Sequence, residues 1–484
     1  MPIGIAMLVR SYGRSNYAYS SIPQLGLGGR RSYQPRGRGI GGSSRINAMV
    51  CTRGQPEDYD GWAQAGCTGW GWDELLPIFR RIETNERGAD TWHGDSGPLF
   101  VSNQRDPSPA SEAFIEAASG LQYPRNDDFN GADQEGVGLF QLFQKNGRRF
   151  NAGQAFIESR PRSNLTVLPG LLARKVNFVS RRAVSVLVGS ARSRRTLTAR
   201  REIILSAGAF GSPQLLMLSG VGPARDLSQF GIEVVHDLPS VGKNLQDHPD
   251  FTTNILGPVA GTIGINPITG LRSAFALSKW YGAGRGLLTS NVAEAGGFIK
   301  SGPGVDRPDL QLHFCVALVD DHGRRLHMAR GYSIHVCALR PASRGEVRLA
   351  SADPAVSLLI DPALLTAPED MDVLMKGVRI TDRIIATPPL SGFGGRRLYG
   401  TGTETDQELR ELIRQRTDTI YHPVGTCRMG SDSASVLDPQ LRVRGVTGLR
   451  VADASIMPTL ISGNTQAPSA VIGERAADFI LQGK

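Results

Sequence analysis

The chain has 484 residues, more than the ~250–300 at which a single core stops growing, so two domains are expected. It is 40% hydrophobic and 20% charged, an ordinary balance for a globular protein. The net charge is +9, and only seven of its 54 basic residues are Lys. The basic residues are scattered with no interleaved aromatic stripe, which argues against nucleic-acid binding.

The five cysteines are odd in number, far apart and without a CxxC pair. That pattern argues against a disulfide framework and against a metal site, and fits a reducing cytoplasm. No apolar run reaches the ~18 residues of a membrane span. A peripheral contact with the inner membrane surface stays compatible with the positive charge.

In chain order, residues 1–60 are rich in Gly, Ser, Arg and Tyr and read as extended segments and loops. Helical spacing of apolar residues predicts helices at 73–83 and about 108–118. Short strands are predicted at 165–168, 174–179, 184–188 and 195–199. The Ile203-Ile204-Leu205 run reads as a strand buried on both faces, followed by a short helix from Pro213 to Leu218. In 310–349 apolar residues alternate in three runs, which implies an antiparallel sheet with one covered face. Helices follow at about 368–387 and 406–416, the second opened by a Thr405/Glu408 capping box. Residues 448–453 read as a strand, and Pro468 to Leu481 as a closing helix.

Four stretches carry chemistry. Pro35 to Val50 contains a literal GxGxxG at Gly37, Gly39 and Gly42. No hydrophobic strand precedes it and no acidic residue follows at the right distance, so alone it reads as an ordinary glycine loop. Gly208 to Gly222 passes from a strand through small residues into a helix, a geometry that aims backbone amides at a phosphate or simply makes a tight turn. The third is Tyr421-His422-Pro423-Val424-Gly425-Thr426-Cys427-Arg428-Met429-Gly430. The fourth runs from Val451 through Asp453-Ala454-Ser455 to Gly463-Asn464-Thr465-Gln466-Ala467-Pro468. A histidine with an asparagine supplies a base near neutral pKa beside a hydrogen-bonding amide.

All four stretches, in this order, resemble the glucose-methanol-choline oxidoreductases. Arg53-Gly54 with Asp58-Tyr59-Asp60, Val241 to His248, and Ser343-Arg344-Gly345 add to the resemblance, which runs from about residue 20 to the end. It implies an α/β fold: a Rossmann-like FAD-binding domain (1–60, 160–247 and 430–484) interleaved with an antiparallel-sheet α+β substrate domain (61–159 and 248–429). It implies oxidation of a primary alcohol, choline-like or aliphatic, to the aldehyde. His422 would take the hydroxyl proton, hydride would pass to flavin N5, and electrons would go on to a quinone or another carrier. Asn464 would hydrogen-bond the alcohol oxygen. Gly41, Gly42, Ser43, Ser44 and Asn47 would wrap the flavin, and Val176 would touch the adenine through its backbone. Asp453, Ala454, Thr465 and Gln466 would line the pyrophosphate and the ring. Some members tether FAD to a His in the first stretch; Ile46 stands there, so non-covalent FAD is expected.

The resemblance also implies an N-terminal strand–GxGxxG–helix unit that cradles the FAD pyrophosphate. No such unit precedes the first stretch here, so an N-terminal truncation is expected, with an apolar face left exposed. Three other readings share the motifs: an oxygen-using oxidase, a lyase or decarboxylase on the same scaffold, and an inactive truncated remnant without FAD. Of the remaining histidines, His93, His236, His248, His313 and His335 read as structural. Glu294, beside Gly296-Gly297, reads as a solvated charge, with a substrate-facing role as the alternative.

Overall fold

The computed structural model describes residues 2–4, 8–10, 13, 15–190, 192–264 and 269–483, with the backbone alone for 269–275. Met1, where the expected truncation falls, lies outside these. A short antiparallel ladder, Tyr19–Ser20 against Tyr33–Gln34, precedes two helices. α1 (Pro56–Gln64) opens on Pro56 behind a Gln55/Asp58 capping box, in a stretch where the sequence had suggested only loop. α2 (Trp72–Ile82) buries Trp72, Leu75, Ile78, Phe79 and Ile82, which fall three or four residues apart. α3 (Pro109–Gly120) starts on Ser108, whose hydroxyl accepts the Ala110 N–H.

A first group of strands then forms. β1 (Gly136–Leu139) belongs to the large sheet described below. β2 (Ala173–Val179), β3 (Arg182–Gly189) and β4 (Arg194–Thr198) make a three-stranded antiparallel sheet in sequence order. Residues 165–168 form no strand; their Leu165, Val167 and Leu168 are exposed and pair with nothing in a ladder. Hydrophobic content suggested a strand there, but the segment joins no ladder even though β4 is an edge strand whose Arg195 shares a small pocket with Leu168.

β5 (Ile203–Leu205) pairs in parallel with β10 (Leu449–Val451). Ile203 and Leu205 are buried, but Ile204 is 45% exposed. The expectation of burial on both faces is therefore corrected: Ile204 stands on the outer face, exposed, although its register partner Arg450 is buried there. β5 runs directly into α4 (Gly208–Leu218), which begins five residues earlier than Pro213. Pro213 lies inside the helix, and the Ala209 carbonyl that its missing N–H leaves unpaired accepts from Thr426 Oγ1 at 2.6 Å instead.

The large antiparallel sheet has its main strands in the order β6 (Pro249–Leu256), β9 (Gly331–Ala338), β8 (Leu310–Cys315), β7 (Ala293–Ile299), β1. α5 (Thr269–Ala283) lies between β6 and β7 in the chain. On β8, Leu310, Leu312 and Phe314 enter an apolar core; on β9, Tyr332, Ile334 and Val336 do the same. α3, α6 (Pro368–Ala386) and α7 (Asp406–Arg416) close that core. The Thr405/Glu408 capping box at the start of α7 is present. Gly377 lets α6 sit tightly on β9, since a Cβ there would lie 2.7 Å from Val336 Cγ2.

A second core joins α1, α2, α4, β5, β10 and the closing helix α8 (Gln466–Leu481), which packs on α2. Residues 61–159 contribute to both cores. The period of two therefore decides the site. With alternate residues of β8 and β9 committed to the helix-covered core, Gln311, His313 and Cys315, and with them Ser333 and His335, must face the other way.

Candidate active site

That other face borders a cavity of about 1040 Å³. Its size exceeds the ~300–1,000 Å³ usual for a single small ligand. Three backbone segments converge on it. The segment 243–248 runs antiparallel to 422–426, with Gln246 and Val424 exchanging N–H···O bonds of 3.1 and 2.9 Å. The segment 425–429 in turn runs along 454–456: Cys427 N–H donates to Ser455 O at 2.8 Å, and Met429 N–H to Ile456 O at 2.8 Å. Asn464 is tied to the first stretch, its N–H donating to Thr52 Oγ1 at 2.8 Å.

His422 and Asn464 both line this cavity, and Asn464 Nδ2 lies 3.1 Å from His422 Nε2. The Asn464 carbonyl oxygen accepts from Gln311 Nε2 at 3.0 Å and Thr52 Oγ1 at 3.2 Å, which turns the amide nitrogen toward His422. Tyr421 has φ 76°, a strained value for a large side chain, and its carbonyl accepts from Arg36 at 3.0 Å. Burial pushes His422 well below the ordinary histidine range, and the nearby His248, His313 and Arg36 add to this. The ring is therefore neutral at physiological pH, the form a base requires.

Gly41, Gly42, Ser43, Ser44 and Asn47 line the same cavity. Gly41 has φ 92°, and a Cβ on it would lie 2.7 Å from Asn151 Oδ1. Residues 42–45 form a short 3-10 turn, so the literal GxGxxG is the glycine loop its sequence context suggests. Asp453, Ala454, Thr465 and Gln466 complete the wall. Asp453 accepts from Gly208 N–H at 2.9 Å, Ser212 Oγ at 2.5 Å and Ser455 N–H at 2.8 Å. Gln466 Nε2 is buried without a partner, and α8 begins there with no side-chain cap.

Val176 stands apart from this group. Its side chain is buried, its N–H donates to Ser219 Oγ at 2.8 Å, and the cavity wall nearby is made by Leu171, Leu172 and Ala173 instead. Glu294 is neither solvated nor turned toward the cavity. It is 1% exposed and accepts from Ser108 N–H at 2.7 Å, Ser111 Oγ at 2.8 Å and Ser290 Oγ at 2.5 Å. Three donors offset the cost of burying its carboxylate.

Sequence reasoning missed His313 and His335. They are register partners on β8 and β9, and both line the cavity. Burial drives His313 down to about 3, helped by His335 and His248. Burial also opposes a charge on His335, but Asp250 at 2.7 Å and Cys315 outweigh it and hold the ring well above its ordinary value. The signal was available: both histidines occupy the non-core positions of alternating strands.

Models of the GMC oxidoreductase family match residues 4–250 and 341–473. The chain belongs to the GMC oxidoreductase family. It is 45% identical over 487 residues to the alcohol dehydrogenase (acceptor) of Pseudomonas putida, covering 100% of this chain and 88% of that protein. It is 41% identical over 474 residues to mitochondrial choline dehydrogenase of Homo sapiens, covering 96% and 79%. Among solved structures, it is similar to pyridoxine 4-oxidase from Mesorbium loti, with TM-score 0.88 and 31% identity over 99% of this chain and 91% of that one.

This GMC oxidoreductase is an FAD-dependent enzyme that oxidises alcohols. Its residues fit the cofactor on physical grounds. The cavity is at the upper end of ligand-site sizes, and α8 begins uncapped at its wall, where free N–H groups favour phosphate. The unpartnered Gln466 Nε2 offers a further donor at that wall.

Proposed function

We propose that this GMC oxidoreductase converts neutral primary alcohols with apolar chains to aldehydes, with His422 as base and Asn464 as hydrogen-bond donor to the alcohol oxygen. The observation that carries the reading is the His422 Nε2–Asn464 Nδ2 contact of 3.1 Å on the wall of the same cavity as Ser43, Gly208 and Thr465. Bound FAD supplies the hydride acceptor. A carbinol C–H donates hydride poorly until its hydroxyl loses a proton, so a neutral buried imidazole at the hydroxyl lowers the barrier. Asn464 Nδ2 supplies a fixed N–H to the oxygen on which negative charge develops. Gly41 to Ser44 and Asn47 would hold the flavin with Asp453, Ala454, Thr465 and Gln466. Ile46 offers no nucleophilic atom, which supports non-covalent FAD.

The apolar part of the wall supports the substrate class. Ile3, Ala48, Val292, Ala293, Cys315, Ala317 and Val319 pack as one cluster that borders the cavity. Among the described residues, the carboxylates on the wall are Asp453, already engaged by Gly208 and Ser212, and Glu474. A quaternary ammonium would lack a counter-charge beside that cluster, so choline fits less well than an aliphatic alcohol. For the acceptor we favour a quinone or another carrier, reached by a cytoplasmic chain in peripheral contact with the membrane. The exposed Leu277, Tyr281 and Leu287 around α5 support that contact.

The test is an anaerobic titration of the purified, flavin-loaded protein with 1-butanol through 1-decanol and with choline, following the flavin spectrum. Bleaching by the aliphatic alcohols, with choline poor, is expected. No bleaching by any of them, or choline as the best substrate, refutes the reading. The likeness to pyridoxine 4-oxidase favours one second reading, oxygen as acceptor; oxygen consumed in proportion to aldehyde formed would establish it.

A further inference from the structure

We propose that His248 is a positioning residue that fixes the ring tautomer of His422, so that the proton sits on His422 Nδ1 and Nε2 presents its lone pair on the cavity side, where Asn464 Nδ2 lies. The proposal rests on the reading of His422 as the base. It follows from one-way constraints along a chain of contacts. The Leu339 carbonyl can only accept, and it lies 3.0 Å from His248 Nε2, so that nitrogen carries a proton. His248 is fully buried, and burial drives it down to about 3 even against the carbonyls of Leu339 and Ile461. The ring is neutral, which leaves His248 Nδ1 bare. His422 Nδ1 lies 3.0 Å from that atom, with the two rings at 85°. Only one arrangement makes a hydrogen bond there: His422 Nδ1–H donates to His248 Nδ1.

The far end of the chain agrees independently. Thr52 and Gln311 hold the Asn464 oxygen, so its Nδ2–H points at His422 Nε2, which must then be an acceptor. The opposite tautomer of His422 would set two bare nitrogens against each other at one side and two N–H groups at the other. On the His248 side, which is fully buried, the clash is not relieved by solvent.

The neighbouring residue fixes the backbone. Asp247 accepts the His422 N–H at 2.8 Å, and its second oxygen accepts from the Thr419 hydroxyl. Consecutive residues thus hold the main chain and the ring of His422. A histidine that merely filled space would need no acceptor atom at that point. The arrangement follows the general rule that the hydrogen bond at one ring nitrogen selects the state of the other.

The test compares His248→Leu, which removes the acceptor, with His248→Asn, whose Oδ1 can reach the same place. In flavin-loaded enzyme labelled with ¹⁵N-histidine, the wild-type His422 ring should show the neutral Nδ1–H form, and His248→Leu should show mixed tautomers. With 1-hexanol and phenazine methosulfate, His248→Leu should lower kcat roughly 10- to 100-fold with KM nearly unchanged. His248→Asn should restore most of kcat and the Nδ1–H form. If His248→Leu does not fold, His248→Gln, which reaches Leu339 but offers nothing at Nδ1, takes its place with the same expectation. An Nδ1–H ring that persists in the Leu or Gln variant, or an Asn variant as impaired as Leu, overturns the proposal. The tautomer signal does not depend on which alcohol is oxidised, so it separates failure of this inference from failure of the substrate reading.

Discussion

The Asp453 carboxylate and the Gly208 N–H meet at 2.9 Å although 245 residues separate them. The contact joins the C-terminal strand–loop to the first turn of α4, and the same oxygen also receives Ser212 Oγ. A buried carboxylate at a helix N-terminus satisfies orphan N–H groups and complements the helix dipole. Gly208, with φ 77°, turns the chain so that its N–H faces Asp453.

Replacing Asp453 with Ala therefore loses three hydrogen bonds to a charged group. We expect a stability loss of about 2–4 kcal/mol, less than the sum of the three because the site relaxes. Flavin retention should fall as well, because the cavity wall at Ala207–Ala209 loses its anchor. Thermal unfolding and flavin absorbance per protein check both; an unchanged melting temperature would contradict the account.

His422→Ala should lower kcat/KM by about 10²–10⁴-fold, and Asn464→Ala by about 10²–10³-fold. The pH profile has a definite sign. His422 is held well below its ordinary value, so its own protonation does not limit the rate near neutrality. Asp247 is pushed up to about 6 by burial, against opposing bonds from Thr419, His422 and His248 and the charge of Arg36. Its protonation weakens the charged acceptor for the His422 N–H, so kcat/KM should be level above pH 7 and fall through about 6. In Asp247→Asn that limb should move to lower pH. An acid limb above pH 6.5 that ignores this substitution would count against the assignment.

Gly41→Ala places a Cβ against Asn151 Oδ1 at a backbone angle that disfavours L side chains. The strain, about 1–2 kcal/mol before the contact is counted, should weaken FAD binding about tenfold or more. Equilibrium dialysis of the variant against free FAD would measure it. Wild-type affinity in the variant would show that the flavin does not rest on this turn.

Much of the site was legible before the fold was known, because its chemistry comes from contiguous segments: His422, Asn464 and Gly41 to Ser44 each sit in a short run of turn-forming residues. The long helices were legible for the same local reason, since α2, α6 and α7 carry apolar residues at helical spacing and α7 opens on a capping box. What escaped depends on pairing across the chain. His313 and His335 matter because β8 and β9 lie side by side in one register, and His248 because its segment runs antiparallel to His422's. Glu294 was misread because its three serine partners are close only in space. Residues 165–168 have strand composition but join no ladder, and Ile204 is apolar yet exposed. Local propensity carries no information about either.

Burial opposes a charge on His93, but hydrogen bonds to Asp128 and Glu83, each 2.9 Å, outweigh it and raise the ring to about 9. A raised histidine stabilises the fold fully below its ordinary value near 6.5, and that stability is lost as pH rises through about 9. The melting temperature should therefore drop between pH 7 and 10, and the drop should shrink in His93→Leu. That variant should itself lose about 3 kcal/mol or more at pH 7, because Asp128 and Glu83 lose a buried partner. A His93→Leu variant with the wild-type pH slope would exclude this network as the source.

Glu294→Ala should destabilise the fold by about 2–3 kcal/mol, since three buried donors are orphaned. It should leave the ranking of alcohols by chain length unchanged, because the carboxylate faces Ser108, Ser111 and Ser290 rather than the cavity. A variant of normal stability with altered chain-length preference would reverse that conclusion.

The line of hydrogen bonds behind His422 stops at a peptide carbonyl. Leu339 O can receive a hydrogen bond from His248, but it is far too weak a base to carry a proton away. Whatever proton His422 Nε2 gains from a substrate has no exit through the back of the site and must leave by the side it came from. Turnover is then gated at the cavity mouth: the base is reset only when product, solvent or an electron acceptor reaches it there. An acceptor able to take protons along with electrons would discharge both in one visit.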